Sequence, residues 1–371
     1  MLTWLEIDAQ AIRHNLRQFK KMIGRQIMLM PVIKANAYGH GLLTIAKICQ
    51  NSSDADRICV VNLDEALELI KNKLTKKPVM VLSFFDKDKE KLFLAVKNSI
   101  IFPLYNLKDA EILNRMGERL NKKIKVHLKI DTGTSRLGIL PDEVLPFANK
   151  LKKYKNLYLE GIWSHFASSE DDLAYTKKQH KIFVSVCSNL EKNGFQIPVK
   201  HIACSAASTY DFVRETAVRL GLGTYGLYSG NQNPGLLNLK PALAWYTTVI
   251  QVKSLPKGSK IGYGGTYITC KDLKIAVLPV GYWDGYDRRL SNCGKVIIKG
   301  KICSVVGRIC MNICMVDVTG LAVKAGDRVI LVGQEKNKSI SIDDLAKWCG
   351  TINYEVVDRI NPLLPRVVKN I

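Results

Sequence analysis

Short apolar runs recur through the first two-thirds of the chain. They are Ile27–Ile33, Ile58–Val61, Val79–Leu82, Ile100–Leu104, Ile124–Ile130, Leu157–Ile162, Val199–Cys204 and Ala217–Leu220. Each is followed by a stretch with helical spacing, clearest at Leu107–Met116, Pro141–Tyr154 and Asp172–Asn193. Strand followed by helix, repeated, predicts parallel-sheet units. Eight such runs match an α/β fold, a (β/α)8 TIM-type barrel of about 250 residues. After about residue 238 the texture changes. Strand-like segments Ala244–Val252, Lys274–Val280, Lys301–Val306 and Asp327–Leu331 are joined by Gly and Pro turns, and only Ser341–Cys349 reads as a helix. The expected organisation is a barrel over residues 1–238 and a mostly β C-terminal domain over 239–371. The boundary falls in Ser229–Lys240, marked by Gly230, Pro234 and Gly235. Thr3–Ile7 alternates and is compatible with either domain, so residues 1–8 can pair with the second.

With 47% hydrophobic and 24% charged residues, the chain of 371 residues has the mix of a folded protein. No apolar run approaches the roughly 18–20 residues of a membrane helix. The N-terminus carries Glu6 and Asp8 and no long apolar stretch, so no secretory signal is expected and the cytoplasm is the expected location. Ten cysteines are scattered without a CxxC pair, the closest being Cys310 and Cys314 in an apolar run; no metal site is expected. The net charge of +22 raises nucleic-acid binding as a reading from another class. The lysines, such as Lys71, Lys73, Lys76, Lys77, Lys87, Lys89 and Lys91, are dispersed, which favours a solvated surface that draws anionic substrates. Steeply salt-dependent DNA binding would separate the two.

In a barrel the active site lies at the C-terminal ends of the strands. The first run ends on Lys34. A lysine in a partly desolvated pocket loses basicity and becomes a nucleophile able to form Schiff bases, although a snorkelling lysine fits the same pattern. The fifth run leads into Asp131-Thr132-Gly133-Thr134-Ser135-Arg136. There Asp131 can structure the turn and Arg136 can bind a carboxylate through its fork. The sixth ends near His165, a candidate base, stacking partner or structural hydrogen bonder. The seventh leads to Ser205 and the eighth to Arg219 and Gly221, and loops after these strands often build a phosphate site. A Schiff-base lysine on the first strand plus a phosphate cradle after the last two is what pyridoxal 5'-phosphate (PLP) requires, with Arg219 placed to face its pyridine nitrogen.

The chain closely resembles bacterial alanine racemases along nearly its whole length. The resemblance is carried by the segment around Lys34, Lys129–Gly138, Ser164-His165-Phe166-Ala167, Val218-Arg219-Leu220-Gly221 and Tyr225-Gly226-Leu227. In the second domain it is carried by Gly262-Tyr263-Gly264, Gly281-Tyr282-Trp283-Asp284-Gly285, Gly307-Arg308-Ile309-Cys310-Met311 and Asn353-Tyr354-Glu355. It implies a PLP-dependent racemase that interconverts L-alanine and D-alanine, the latter for cell-wall peptidoglycan. Lys34 would hold the cofactor covalently. Tyr38, Ser205, Tyr354 and the backbone of Gly221 and Leu222 would bind its phosphate, His165 would lie against its ring, and Arg219 would hydrogen-bond its nitrogen. Arg136 and the Met311 backbone would receive the substrate carboxylate. Lys129 matches a lysine often carbamylated in the family, and Tyr282 and Arg308 would lie near the substrate entrance. Tyr263 would come from the partner subunit of a homodimer. Cys204 stands where Asn is usual, Thr134-Ser135 replaces Met-Gly, Trp283 replaces Ala and Asn312 replaces Asp. Trp283 and Asn312 bear on substrate breadth.

Racemisation removes a proton from one face of Cα and returns one to the other, so Lys34 and Tyr263 are the expected catalytic bases. Tyrosine ionises near about pH 10, so Tyr263 needs help, for which His165 and Arg219 are the candidates. A serine or broader amino-acid racemase, a decarboxylase and a non-catalytic PLP carrier are the rival readings. Arg219 argues against a decarboxylase of this type, whose relatives usually place a carboxylate at the ring nitrogen.

Overall fold

The computed structural model describes residues 1–230 and 236–370; Pro234 and Gly235, part of the expected boundary, lie outside the described residues. The chain forms two compact units. One is Ala11–Ala37 with Leu42–Lys240, and the other is Met1–Gln10 with Tyr38–Gly41 and Pro241–Ile371. The first strand, β1 (Thr3–Asp8), belongs to the second unit.

The first unit carries β2 (Met28–Pro31), β3 (Ile58–Val60), β4 (Val79–Val81), β5 (Phe102–Leu104), β6 (Ile124–Lys129), β7 (Leu157–Trp163), β8 (Val199–His201) and β9 (Ala217–Leu220). Six of them form a parallel sheet in the order β2-β9-β8-β7-β6-β5, and β3 pairs with β4. Two isolated parallel bridges, Val32↔Cys59 and Met80↔Ile101, join these pieces into a ring. At the seams Ile33 N–H donates to the Cys59 carbonyl at 2.8 Å and Ile101 N–H to the Val79 carbonyl at 2.9 Å. The ring is thus a closed eight-stranded barrel, which leaves no exposed strand edge.

Every residue of β3, β4 and β5 is buried. Strands covered on both faces read as continuous apolar runs, which is why the sequence shows no alternation there. Several of the runs extend beyond the paired residues; Val32 and Ile33, for example, continue past β2. Helices Leu42–Gln50, Leu63–Lys71, Lys89–Lys97, Leu107–Leu120, Val144–Leu151 and Leu173–Lys192 follow the strands. Asn62, Asp88, Asn106 and Asp172 each accept the backbone N–H three residues on. Such caps stabilise a helix start by about 1 kcal/mol. Pro141 opens a 3-10 turn, Pro141–Glu143, so the helix expected over Pro141–Tyr154 is shorter and starts more tightly wound.

In the second unit β10 (Leu243–Thr248) pairs antiparallel with β1. Then come β11 (Gln251–Leu255), β12 (Lys260–Ile261), β13 (Tyr267–Ile268), β14 (Leu273–Leu278), β15 (Lys295–Ile298) and β16 (Lys301–Ser304). They are followed by β17 (Cys314–Asp317), β18 (Arg328–Glu335), β19 (Lys338–Ile340) and β20 (Arg366–Lys369). The main sheet runs β16-β15-β18-β10-β1-β20 with β19 on β18; β11-β14-β17 and β12-β13 form smaller sheets. The single strand expected over Ala244–Val252 is split, because β10 and β11 belong to different sheets. A second helix, Asn353–Asp358, follows Ile342–Cys349. Its six residues are too few to show an apolar period, and its start has no side-chain cap. Among the described residues no helix is long and apolar enough to cross a membrane.

Candidate active site

Lys34 follows β2 at the C-terminal end of the barrel strand. The next four residues, Ala35, Asn36, Ala37 and Tyr38, all have φ between 51° and 54°. A left-handed conformation costs a non-glycine residue roughly 1–2 kcal/mol, so a run of four must be held by its surroundings. Glu65 supplies part of the hold: its carboxylate accepts the N–H of Ala35 at 2.6 Å and of Val61 at 2.7 Å. Asn36 Oδ1 accepts the Leu42 N–H at 2.9 Å, and Ala37 N–H donates to the Ile33 carbonyl at 2.9 Å. The sequence reading missed Glu65, which looks like any acidic residue in a first helical turn.

Lys129 ends β6 and is buried. Its Nζ lies 3.6 Å from the centre of the Trp163 ring. Burial, then the neighbouring Arg219 and Arg136 cations, bring its pKa down to about 7. A substantial share of the amine is therefore neutral at physiological pH. The loop that follows is organised by Asp131, as expected: its carboxylate accepts the N–H groups of Gly133 and Thr134 at 2.9 Å each and of Ser135 and Arg136 at 3.1 Å each. These four bonds hold Asp131 below the usual carboxylate range against the opposing pull of desolvation. Arg136 itself is exposed.

Arg219, in β9, is 3% exposed. Nη1 lies 2.6 Å from His201 Nδ1 and donates to the His201 carbonyl at 3.1 Å. Nη2 donates to the carbonyls of Ser164 at 2.8 Å and Ile202 at 3.1 Å, and lies 3.2 Å from His165 Nδ1. Both terminal nitrogens are thus engaged, while Nε has no hydrogen bond among the described residues. Burial lowers the guanidinium pKa to about 10, still charged at neutral pH. His165 is held well below its ordinary value by burial and by Arg219 beside it. It is neutral, so of the two expected helpers of Tyr263 only Arg219 brings positive charge. Ser205 Oγ accepts the N–H groups of Gly221 at 2.9 Å and Gly223 at 3.3 Å, which draws the loops after β8 and β9 together. Leu222 is buried beside them, and Gly223 was not foreseen. Cys204 Sγ lies 3.3 Å from Ser169 Oγ.

The chemistry of this donor set fits PLP. A hydroxyl and clustered backbone N–H groups suit a phosphate, Arg219 Nε–H suits a ring nitrogen, and a lysine follows β2 at the same end of the barrel. Among the described residues no group of His, Cys, Asp or Glu could hold a metal ion.

The remaining candidates lie in the second unit. The rings of Tyr38 and Tyr354 are 6.2 Å apart. The turn after Tyr38 is pinned by Arg366, whose Nε and Nη2 donate to the Gly39 carbonyl at 2.9 and 2.8 Å. Gly39 has φ +74°, and a Cβ there would collide with the Val357 carbonyl. Tyr263 sits in a tight turn, Tyr263–Gly265, and is 72% exposed. The Arg308 guanidinium lies against the neighbouring Gly264. Tyr282 N–H donates to the Cys310 carbonyl at 3.1 Å and Trp283 N–H to the Met311 carbonyl at 2.9 Å. Tyr282, Trp283, Met311, Asn312 and Arg308 are all exposed.

The family model described as "Alanine racemase, N-terminal domain" matches residues 7–229, and "Alanine racemase, C-terminal domain" matches residues 242–368. An alanine racemase of Methanococcus maripaludis is 40% identical over 369 residues, covering 98% of both chains. Among solved structures, an alanine racemase of Clostridium difficile superposes with a TM-score of 0.94 at 34% identity, covering 100% of this chain and 96% of its own. The Bacillus anthracis alanine racemase, solved with bound L-Ala-P, gives a TM-score of 0.92 at 32% identity over 99% of this chain and 95% of its own.

Proposed function

Because the chain belongs to the alanine racemase family, we propose that it interconverts L-alanine and D-alanine with PLP as cofactor and Lys34 and Tyr263 as its two bases. When bound, PLP acidifies the substrate Cα–H by drawing its electron pair into the conjugated ring. In this reading Tyr263 Oη of the partner subunit takes the Cα proton of L-alanine. Lys34 Nζ delivers a proton to the opposite face, and the return reaction reverses the roles. Ser205, Tyr38, Tyr354 and the Gly221 and Leu222 backbone bind the phosphate, and His165 lies against the ring. Arg136 and the Met311 backbone take the substrate carboxylate, with Tyr282 and Arg308 near the entrance. The exposure of Tyr263 supports its service to a second copy. The ten unpaired cysteines favour a reducing compartment, the cytoplasm.

The observation that carries the reading is Arg219, a buried cation whose Nε–H makes no hydrogen bond among the described residues and suits a ring nitrogen as acceptor. A guanidinium donates a hydrogen bond and cannot take the proton. A carboxylate there would keep the nitrogen protonated and let the ring hold charge longer. Arg219→Glu is therefore expected to lower racemisation by about 100-fold or more and to raise transamination, measured as pyruvate formed per alanine racemised. An unchanged product ratio would count against this role.

Lys129 is proposed to carry a carbamate that orients Arg136. Only the neutral amine adds carbon dioxide, so a pKa near 7 makes the adduct form as pH rises through that value. With 13C-bicarbonate, a carbamate resonance that grows from pH 6 to pH 8 and is absent in Lys129→Ala is the expected result; no such resonance at any pH would sink the idea.

The direct test of function is chiral chromatography of L-alanine and L-serine after incubation with protein and PLP in D2O. Rapid Cα-deuterated D-alanine with slow D-serine supports the reading. No exchange on either substrate overturns it and sends the search to decarboxylation.

A further inference from the structure

Two imidazoles that the sequence left unassigned, His201 and His127, connect Arg219 to the buried carboxylate of Glu160. His201 Nδ1 receives Arg219 Nη1 at 2.6 Å. His201 Nε2 lies 2.9 Å from His127 Nδ1, and His127 Nε2 lies 2.9 Å from Glu160 Oε2. Both imidazoles are 0% exposed and Glu160 is 6% exposed. On its other side Glu160 meets Arg57 Nη2 at 3.0 Å and Lys125 Nζ at 2.7 Å. Arg57 Nη1 also stands 3.2 Å from His127 Nε2.

One set of protons fits these contacts. A guanidinium only donates, so His201 Nδ1 accepts and the His201 proton sits on Nε2. That N–H faces His127 Nδ1, which must accept, so His127 carries its proton on Nε2 and donates it to Glu160. A bare His127 Nε2 would set two acceptors against each other at 2.9 Å, which outweighs the longer approach of Arg57 Nη1. Both rings are neutral: burial takes His127 down to about 4 and His201 well below its ordinary value. Burial pushes Glu160 up, but the hydrogen bonds from His127 and Lys125 outweigh it and hold the carboxyl near 2, ionised.

The backbone is shaped for this chain of bonds. The register between β6 and β7 slips after Val126: Val126 pairs with Leu159 and His127 with Gly161, so Glu160 is the inserted residue of a bulge. Bulges re-aim side chains. A Cβ on Gly161 would stand 2.5 Å from the His127 ring, so only glycine leaves room for it. Trp163 then stacks on His201 with ring planes 6° apart, and Arg219 lies over the same indole at 4.8 Å.

We propose that Glu160 and His127 are positioning residues: Glu160 fixes the His127 tautomer, His127 gives the His201 Nε2–H a constant acceptor, and the His201 ring so held keeps the Arg219 guanidinium in register with the cofactor's ring nitrogen. The last step rests on the racemase reading; the tautomers do not. They also explain how a buried guanidinium without a touching carboxylate is kept aligned: the nearest end of its hydrogen-bond chain is Glu160, two rings away.

The first measurement is side-chain 15N NMR of histidine-labelled wild-type holoenzyme at neutral pH, assigned with single histidine replacements. Neutral rings protonated on Nε2 at both His127 and His201 are expected. An Nδ1–H form or a protonated ring at either would overturn the proposal, whether or not any variant folds. The second is Glu160→Gln, whose amide no longer obliges His127 to donate. Its His127 should show mixed tautomers, which leaves the His201 Nε2–H without a constant acceptor. Its kcat should fall by about 10-fold to 100-fold, as for a small misplacement of a working group, with KM for alanine nearly unchanged. Scrambled tautomers with full kcat would refute the positioning role. A wild-type protein that racemises no alanine would instead refute the racemase reading, and the ring tautomers would still test the chain of bonds.

Discussion

Lys34→Ala is expected to leave no measurable racemisation of either alanine enantiomer, a loss of more than about 10,000-fold. Two functions disappear together in this variant. The ε-amine is the proposed covalent anchor of the cofactor and the proposed base on one face of Cα. Positioned proton transfer alone contributes roughly 100- to 10,000-fold, and loss of the covalent route adds to it. The effect should be chemical and local, because Lys34 stands at the end of a strand whose backbone bonds are made by others: Val32 N–H to Leu220 and Ile33 N–H to Cys59. The far-UV circular dichroism should therefore match wild type while PLP dialyses away. A small amine supplied in solution should restore part of the rate. A variant retaining activity within about 10-fold of wild type would remove Lys34 from the mechanism.

The second large effect is at Tyr263. Tyr263→Phe should lower racemisation by about 1,000-fold, yet its signature is not the size of the loss. Enantiomers have equal free energies, so steady-state kcat/KM must fall equally in both directions whichever base is removed. The asymmetry appears in Cα exchange. In D2O the variant should still wash deuterium into D-alanine, through Lys34, and should leave L-alanine unlabelled. Because the residue is 72% exposed in a turn of its own unit, the substitution should not alter the fold. Equal exchange into both enantiomers would show that one base serves both faces.

The apolar runs at β3, β4 and β5 were legible because both faces of those strands are covered, so burial is written into consecutive residues. Lys125-Val126-His127-Leu128-Lys129 misleads for the opposite reason. Its alternation reads as a strand with one wet face, yet His127 and Lys129 are buried and only Lys125 reaches solvent. The polar face of β6 is turned towards other polar groups, and a single strand does not say which. Glu160 was illegible on the same grounds, since its aim depends on a register slip that exists only between two strands. The left-handed run after Lys34 gave no sign at all, because Ala35, Ala37 and Tyr38 are not residues that favour positive φ. By contrast Lys34, Arg219, Ser205 and Tyr263 could be singled out in sequence, each by its place at a strand end or by family resemblance. The short helix Asn353–Asp358 fell below the length at which periodicity can be read.

The uncompensated guanidinium of Arg219 has a thermodynamic consequence. Around Lys129 the charges that act most strongly are the cations Arg219, Arg136 and Lys34 and the anion Asp131. Mutual repulsion of this kind makes a cofactor-free barrel the strained partner of the pair. A phosphate-bearing ligand then acts as a missing counter-ion as well as a reagent, and every tenfold rise in its free concentration above the dissociation constant adds about 1.4 kcal/mol to resistance against unfolding. Supply of the vitamin-derived cofactor would thus govern how long the polypeptide survives, in addition to how fast it turns over.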